Sequence, residues 1–330
     1  MIKISVLIAV YNTESFLPKC LDSLREQRLR DFQVICVDDC STDNSLAILK
    51  EYEAKDDRFT VISLDKNMGQ AHARNIALQK AEGEYVMFLD SDDWIAPDAM
   101  SEAYRVFREN EKTDCVLFNL RYVYQDGREA DYPMEKFDVK EGKTAFKDSL
   151  VWKIHGVYIL RTDIHKRFPY DESCRAYSDD NTTRLHYLNS REVRLCEGVY
   201  FYRQNPNSVT HAVSIKRFDY IYANVSMKRQ LVELGVEKEL IDLYENVRWM
   251  ILIDMYMFYF KYRSRLGKRE RTIGLGRIKR VWKGIETESL KDKRKFGYIP
   301  FRGMWPLFVV QEEIYFFLRK LQEDCKSMAV

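Results

Sequence analysis

Asp90-Ser91-Asp92-Asp93 stands directly behind the apolar run Tyr85-Val86-Met87-Phe88-Leu89. A run of that length between Gly83 and a polar cluster reads as a buried strand. The carboxylates then emerge at its C-terminal end, the edge where open α/β sheets take ligands. Oxygen-only side chains on a rigid edge suit a hard divalent cation, Mg2+ or Mn2+, which uses one or two protein carboxylates and completes its shell with phosphate oxygens and water. A solvated acidic strand cap has the same four residues, so the packet takes its meaning from its company. Three other polar clusters follow apolar runs: Val10-Tyr11-Asn12-Thr13-Glu14, Val37-Asp38-Asp39-Cys40-Ser41-Thr42-Asp43, and Asn67-Met68-Gly69 running on to Arg74-Asn75.

The elements that must position these clusters alternate in type. Strand patterns cover residues 4–10, 33–37, 59–63 and 85–89, and helix patterns cover 15–27, 43–53, 70–81 and 97–110, the last with Pro97 in its first turn. Leu17, Leu21 and Leu24 share one face of the first helix. Alternation of this kind implies a mostly parallel sheet with right-handed crossovers, an α/β fold whose loops gather at one edge. Beyond residue 118 the pattern loosens into mixed strands and turns to about residue 211. From residue 215 it becomes helical, aromatic and basic, which divides the chain into 1–214 and 215–330.

Composition narrows the class. The 330 residues are 46% hydrophobic and carry a formal net charge of +2, a globular balance with no overall excess of cations to argue for a nucleic-acid partner. Seven cysteines without a C-x-x-C pair oppose a disulfide framework and a structural zinc site, and favour a reducing cytoplasm. The first five residues run straight into a strand with no signal-peptide pattern, so the chain is expected to start with its fold. A dinucleotide-binding domain needs a G-x-G-x-x-G turn after the first strand, where Tyr11-Asn12 stands instead. A nucleotidyltransferase would carry a Gly-rich, basic phosphate loop there, which Ala9 to Glu14 does not offer.

Together, A-V-Y-N-x-E, V-D-D-C-S-T-D, N-x-G-x-x-x-A-R-N and L-D-S-D-D, in this order and spacing, resemble the family 2 glycosyltransferases with a GT-A fold. The resemblance is strong over residues 1–120. It continues more weakly to about 211 through Tyr170-Asp171-Glu172, Ser178-Asp179-Asp180 and the stretch from Tyr202-Arg203 to Thr210. It implies a GT-A type nucleotide-binding sheet with flanking helices, a UDP-sugar donor, a divalent metal and inversion at the anomeric carbon. By the same resemblance Val10 and Tyr11 border the base and Glu14 the ribose. Asp39 accepts from the uracil ring, Arg74 approaches the nucleotide and diphosphate, and Asp90 and Ser91 lie near the ribose. Asp92 holds the metal, and Gly69 permits close backbone approach or a positive φ. Asp180 is first choice for the base that deprotonates the acceptor, with Asp179 alongside it because this chain has Asp-Asp-Asn where the family usually has Glu-Asp and an aromatic. Arg203 faces the diphosphate or closes over the donor, with Ser208 and His211 in the following loop as lid residues. Helix capping by Asp38 or Asp39, and a core or acceptor-platform place for Trp152, stand beside these readings.

Between Lys261 and Phe296 there are fourteen Lys or Arg against four acidic residues, following an aromatic run over residues 249–260 that is too short to span a bilayer. That region either packs on the catalytic part, forms a solvated or dimerising arm, or rests on the inner face of the cell membrane and brings the site to a glycan or lipid-linked acceptor. The enzyme reading stands against a non-catalytic subunit of the same fold that binds a nucleotide sugar or acts as a scaffold.

Overall fold

The computed structural model describes residues 1–173, 177–204, 213–291 and 304–328, the last stretch with side chains to residue 322. The chain divides into two compact units, Met1–Asn205 and Pro206–Val330.

The first unit runs β1 (Ile4–Val10), α1 (Leu17–Arg25), β2 (Phe32–Asp38), α2 (Ser45–Lys55), β3 (Phe59–Ser63), α3 (Gln70–Gln79), β4 (Tyr85–Phe88), β5 (Trp94–Ile95) and α4 (Ala99–Glu109). It continues through β6 (Thr113–Val123), β7 (Glu129–Asp131), β8 (Val139–Glu141), α5 (Gly142–Ser149), β9 (Tyr158–Arg161), α6 (Thr162–Arg167), α7 (Ser178–Leu188) and β10 (Glu192–Arg203). These strands form one sheet in the order β3-β2-β1-β4-β9-β6-β10-β5, with β7 on β6 and β8 on β10. Strands β1 to β4 are parallel to one another, and β9 enters antiparallel between β4 and β6. Strand order reverses at β1, with β2 on one side and β4 on the other, so the crevice at their C-terminal ends is the topological switch point where such sheets take ligands.

Burial on both sheet faces explains the near-continuous apolar strands. Ile4, Val6, Ile8 and Val10 point into one layer with Leu17, Leu21 and Leu24 of α1 and Met100 and Ala103 of α4. Leu7, Ile35, Val37 and Val86 face the other layer, filled by Ala73, Ala77 and Leu78 of α3. Helix α4 starts two residues later than the sequence pattern predicts. Asp98 is the N-cap and Pro97 lies outside the helix, its carbonyl accepting from Arg28 N–H.

The second unit holds α8 (Asp219–Glu233), α9 (Lys238–Tyr262), α10 (Lys268–Lys283) and α11 (Trp305–Met328). The aromatic run of residues 249–260 is core rather than surface. Trp249, Ile251, Leu252, Met255 and Tyr256 pack with Phe218, Trp282 and Phe308 inside this unit. The buried Glu245 carboxylate is shared by Lys228 Nζ (2.8 Å) and Arg248 Nη1 (2.6 Å) and also accepts from Glu286 N–H (2.8 Å), which ties α8 and α9 to the segment after α10. No helix among the described residues is long and apolar enough to cross a membrane.

Candidate functional site

The loops after β1 and β2 are laced together at the switch point. Asn12 takes the left-handed conformation (φ 53°) that Asn tolerates. Its N–H donates to Ser41 Oγ (3.1 Å), and its Oδ1 accepts from Thr42 N–H (2.7 Å). Thr13 N–H donates to Ser45 Oγ (3.0 Å) and Glu14 N–H to Asp43 Oδ2 (3.0 Å). Glu14 Oε2 accepts from both the backbone N–H and the side-chain amide of Asn44 (2.8 Å each), which leaves Oε1 for the crevice. Tyr11 projects its ring outward at 48% exposure. Val10 does not, because its side chain is fully buried in the core and its carbonyl is taken by Asp39 N–H (2.8 Å).

Asp39 is buried, and both of its oxygens are engaged: Met68 N–H donates to Oδ1 (2.7 Å) and Gly69 N–H to Oδ2 (2.8 Å). It therefore clamps the loop ahead of α3, with a second lone pair remaining on each oxygen. Gly69 is the N-cap of α3 at φ 94°, and a Cβ there would meet nothing within 4 Å. The glycine is required by its backbone conformation, not by close approach of another group. Neither Asp38 nor Asp39 caps α2, whose N-cap is Asn44. Asp38 Oδ2 instead accepts from Ser41 N–H (3.2 Å), while its buried Oδ1 has no hydrogen-bond partner.

The acidic packet separates into three environments within one turn, closed by Asp93 N–H donating to the Asp90 carbonyl (3.0 Å). Asp93 is buried; Tyr200 Oη donates to its Oδ2 (2.8 Å) and Arg203 N–H to its Oδ1 (2.8 Å). Burial, reinforced by the charges of Asp90 and Asp92, pushes its pKa up. Asp90 Oδ1 accepts from Arg74 Nη2 (2.5 Å) and Gln70 Nε2 (3.1 Å). Asp92 is half-buried, and no side chain among the described residues donates to its carboxylate. Burial and then the adjacent Asp90 charge raise its pKa from 3.8 to about 6. A desolvated carboxylate without a side-chain donor, beside a second carboxylate, is a setting that a hard cation relieves. No three His, Cys, Asp or Glu are grouped for a metal among the described residues.

Arg74 is 2% exposed and lies beneath the turn, with its guanidinium over the rings of Phe88 (4.5 Å) and Tyr170 (5.1 Å). Its reach to the crevice runs through Asp90. Arg203 holds the opposite side: Nε donates to the Asp92 carbonyl (2.9 Å), and the guanidinium lies over Trp94 (4.8 Å) and Phe16 (5.0 Å). Ser91 is buried within the turn. Asp179 and Asp180 occupy the first turn of α7, after Tyr177 in the left-handed region (φ 65°), and the Asp179 charge acts on both Arg74 and Tyr170. Asp39, Asp90, Asp92, Asp179 and Arg203 thus stand on loops or element ends, and Arg74, from within α3, pairs with Asp90 beneath the turn. Trp152 is 46% exposed, so it is not core, and its carbonyl accepts from Tyr132 Oη (2.8 Å). Ser208 and His211 lie outside the described residues.

Several supporting residues escape sequence reasoning. Asn75 binds the 170–172 segment from both sides: its Nδ2 donates to the Tyr170 carbonyl (2.9 Å) and Glu172 Oε1 (2.7 Å), and its Oδ1 accepts from Tyr170 N–H (2.9 Å). His72 Nδ1 meets Glu172 Oε2 (2.8 Å), a structural contact on α3. Tyr200 and the Trp94–Phe201 stack (5.3 Å) were accessible through strand alternation in Tyr200-Phe201-Tyr202-Arg203, which puts 201 and 203 on one face and 200 on the other.

Comparison with known proteins agrees with this architecture. The chain is 33% identical over 206 residues to the poly(ribitol-phosphate) beta-glucosyltransferase of Bacillus spizizenii, a match covering 61% of this chain and 32% of that protein. It is 31% identical over 218 residues to the uncharacterized glycosyltransferase EpsJ of Bacillus subtilis, covering 63% and 62%. The chain therefore spans about a third of the first relative's length and under two thirds of the second's. Residues 1–349 of Staphylococcus aureus TarS, solved in complex with UDP-GlcNAc, have the same fold, with a TM-score of 0.74 at 20% identity over 98% of this chain and 92% of that one. Residues 5–178 match the model described as "Glycosyl transferase family 2", and with the sheet, the switch-point crevice and its carboxylate turn the chain belongs to that family, on a GT-A fold.

Proposed function

We propose that residues 1–214 form an inverting, metal-dependent glycosyltransferase that moves a sugar from a UDP-sugar to an acceptor hydroxyl in polysaccharide or other glycan biosynthesis. The observation that carries this reading is the division of labour in the turn. Asp93 is spent on structure, Asp90 is anchored by Arg74, and of the three Asp92 alone takes no side-chain donor among the described residues. Relatives named for glucosyl and N-acetylglucosaminyl transfer to poly(ribitol phosphate), and the UDP-GlcNAc complex of the similar TarS structure, support the donor class and a phosphate-bearing glycan acceptor.

In this scheme the Tyr11 ring covers the base and a spare lone pair of Asp39 accepts its ring N–H, while Val10 supports both from the core. Glu14 Oε1, Asp90 and Ser91 border the ribose, and Gly69 sets the loop that Asp39 clamps. Asp92, with Asp90 beside it, would hold a divalent cation, which when bound would supply neutralisation of the charge building on the departing diphosphate. Arg74 fixes Asp90 from below, and Arg203 holds the turn from the side and faces the diphosphate. Asp180, or Asp179 in the same turn, takes the acceptor proton on the face opposite the diphosphate. The acceptor oxygen then bonds to the anomeric carbon as the bond to diphosphate breaks, which inverts configuration. Residues 215–330 bring this site to a lipid-linked or membrane-held acceptor at the inner face of the cell membrane, a cytoplasmic and peripheral placement. Thermal shift with UDP, GDP and NAD, each with and without Mn2+, tests the reading. Stabilisation by UDP only with metal is expected, and stabilisation by none of them would overturn it.

A further inference from the structure

We propose that the second unit docks on an anionic lipid surface through the outer face of α11 and the groove beside its first turn. Trp305, Phe308, Glu312 and Phe316 are the buried face of α11. On the opposite face Leu307, Val310, Ile314, Phe317 and Leu321 are 39%, 54%, 56%, 54% and 45% exposed, at spacings of three and four, with Leu318 (53%) beside them. A helix in water normally turns its polar side outward. Here a stripe about 21 Å long is apolar, whereas exposed apolar residues usually occur singly.

The neighbouring charge selects the occupant. A groove of about 470 Å³ is lined by the aromatic residues Tyr259 and Trp305 and by Lys268, Arg271 and Lys279 of α10. None of these three cations pairs with a carboxylate among the described residues. A second copy seated on this face would bring like charges together, and two heptads are fewer than the three or four that sustain a coiled coil. Acidic lipid headgroups match the cations, while the stripe sinks to the boundary of the acyl chains. Each cation near an anionic surface is expected to raise partitioning about fivefold. The inference deepens the membrane placement proposed above and is read without sugar transfer, so its failure leaves the glycosyltransferase reading standing.

The test floats the full chain with vesicles of phosphatidylcholine alone or mixed with phosphatidylglycerol. Binding about a hundredfold stronger to the anionic vesicles is expected, falling about a hundredfold in Lys268→Glu/Arg271→Glu/Lys279→Glu and about tenfold in Ile314→Glu/Phe317→Glu. Both variants change exposed residues and should melt like the parent chain. If either does not, Val310→Cys carrying an environment-sensitive fluorophore replaces it, and a blue shift on anionic vesicles is expected. Equal binding to both vesicle types, no binding at all, an unaffected stripe variant or an unshifted fluorophore would overturn the proposal. So would a dimer, seen by light scattering, that the stripe variant splits while vesicle binding is absent.

Discussion

Replacing Asp92 with Asn separates what this carboxylate costs the fold from what it gives the reaction. Burial, and then the Asp90 charge, raise its pKa from 3.8 to about 6. One pKa unit is worth about 1.4 kcal/mol, so the ionised form strains the metal-free fold by about 3 kcal/mol; after a discount for the remaining solvent access, Asp92→Asn should recover about 2 kcal/mol. For a unit the size of Met1–Asn205 that raises Tm by roughly 4–8 °C. The sign with pH follows from linkage. The folded pKa lies above the unfolded one, so the penalty is full above about pH 6 and fades as pH falls toward 3.8. The assay is thermal or urea unfolding in EDTA across that range. The variant should be the more stable protein at neutral pH, its advantage should shrink on acidification, and it should gain nothing from Mn2+, which should stabilise the parent. A variant no more stable than the parent at neutral pH, or equally stabilised by Mn2+, would refute the reasoning.

Activity should follow the same group, with kcat/KM at subsaturating Mn2+ falling as pH drops through about 6, where Asp92 takes up a proton; a flat profile from pH 5 to 8 would contradict this. Arg74→Ala strands Asp90 and leaves two rings without their cation, and should cost about 3–5 kcal/mol by urea denaturation. Asp39→Ala frees the Met68 and Gly69 amides and should cost about 2 kcal/mol; it should also raise KM for the UDP-sugar, and an unchanged KM would confine Asp39 to loop clamping. Of Asp179→Asn and Asp180→Asn, the one that removes the base should lower kcat about 10²–10⁴-fold with KM for the donor little changed, and full kcat in both would move the base elsewhere.

Much of the first half was legible because its signals are local. Apolar runs bounded by Gly, Asp and Asn marked β1, β2, β3 and β4 to within a residue or two, and Leu17, Leu21 and Leu24 gave the buried face of α1. The crevice was legible because motif order along a parallel sheet fixes which loops meet at its edge. Strand partnership was not. Nothing in the four residues of β9 specifies antiparallel insertion between β4 and β6, since that depends on long-range pairing. The aromatic run in α9 reads alike as membrane-facing or as core until Trp282 and Phe308 are seen packed on it. In the site, residue type indicated carboxylates and guanidinium but not their partners. The motif order points Arg74 at phosphate, yet it lies buried under Asp90, and it points Asp39 at the base, although Asp39 also holds two loop amides.

The central claim is sugar transfer from a UDP donor that depends on Asp92. UDP release measured over a panel of UDP-sugars with Mn2+ and an acceptor, in the parent chain and in Asp92→Ala, tests it most directly. Release with at least one UDP-sugar is expected, abolished by EDTA and reduced by orders of magnitude in the variant. Undiminished release in EDTA or in Asp92→Ala, or none with any UDP-sugar, would contradict it.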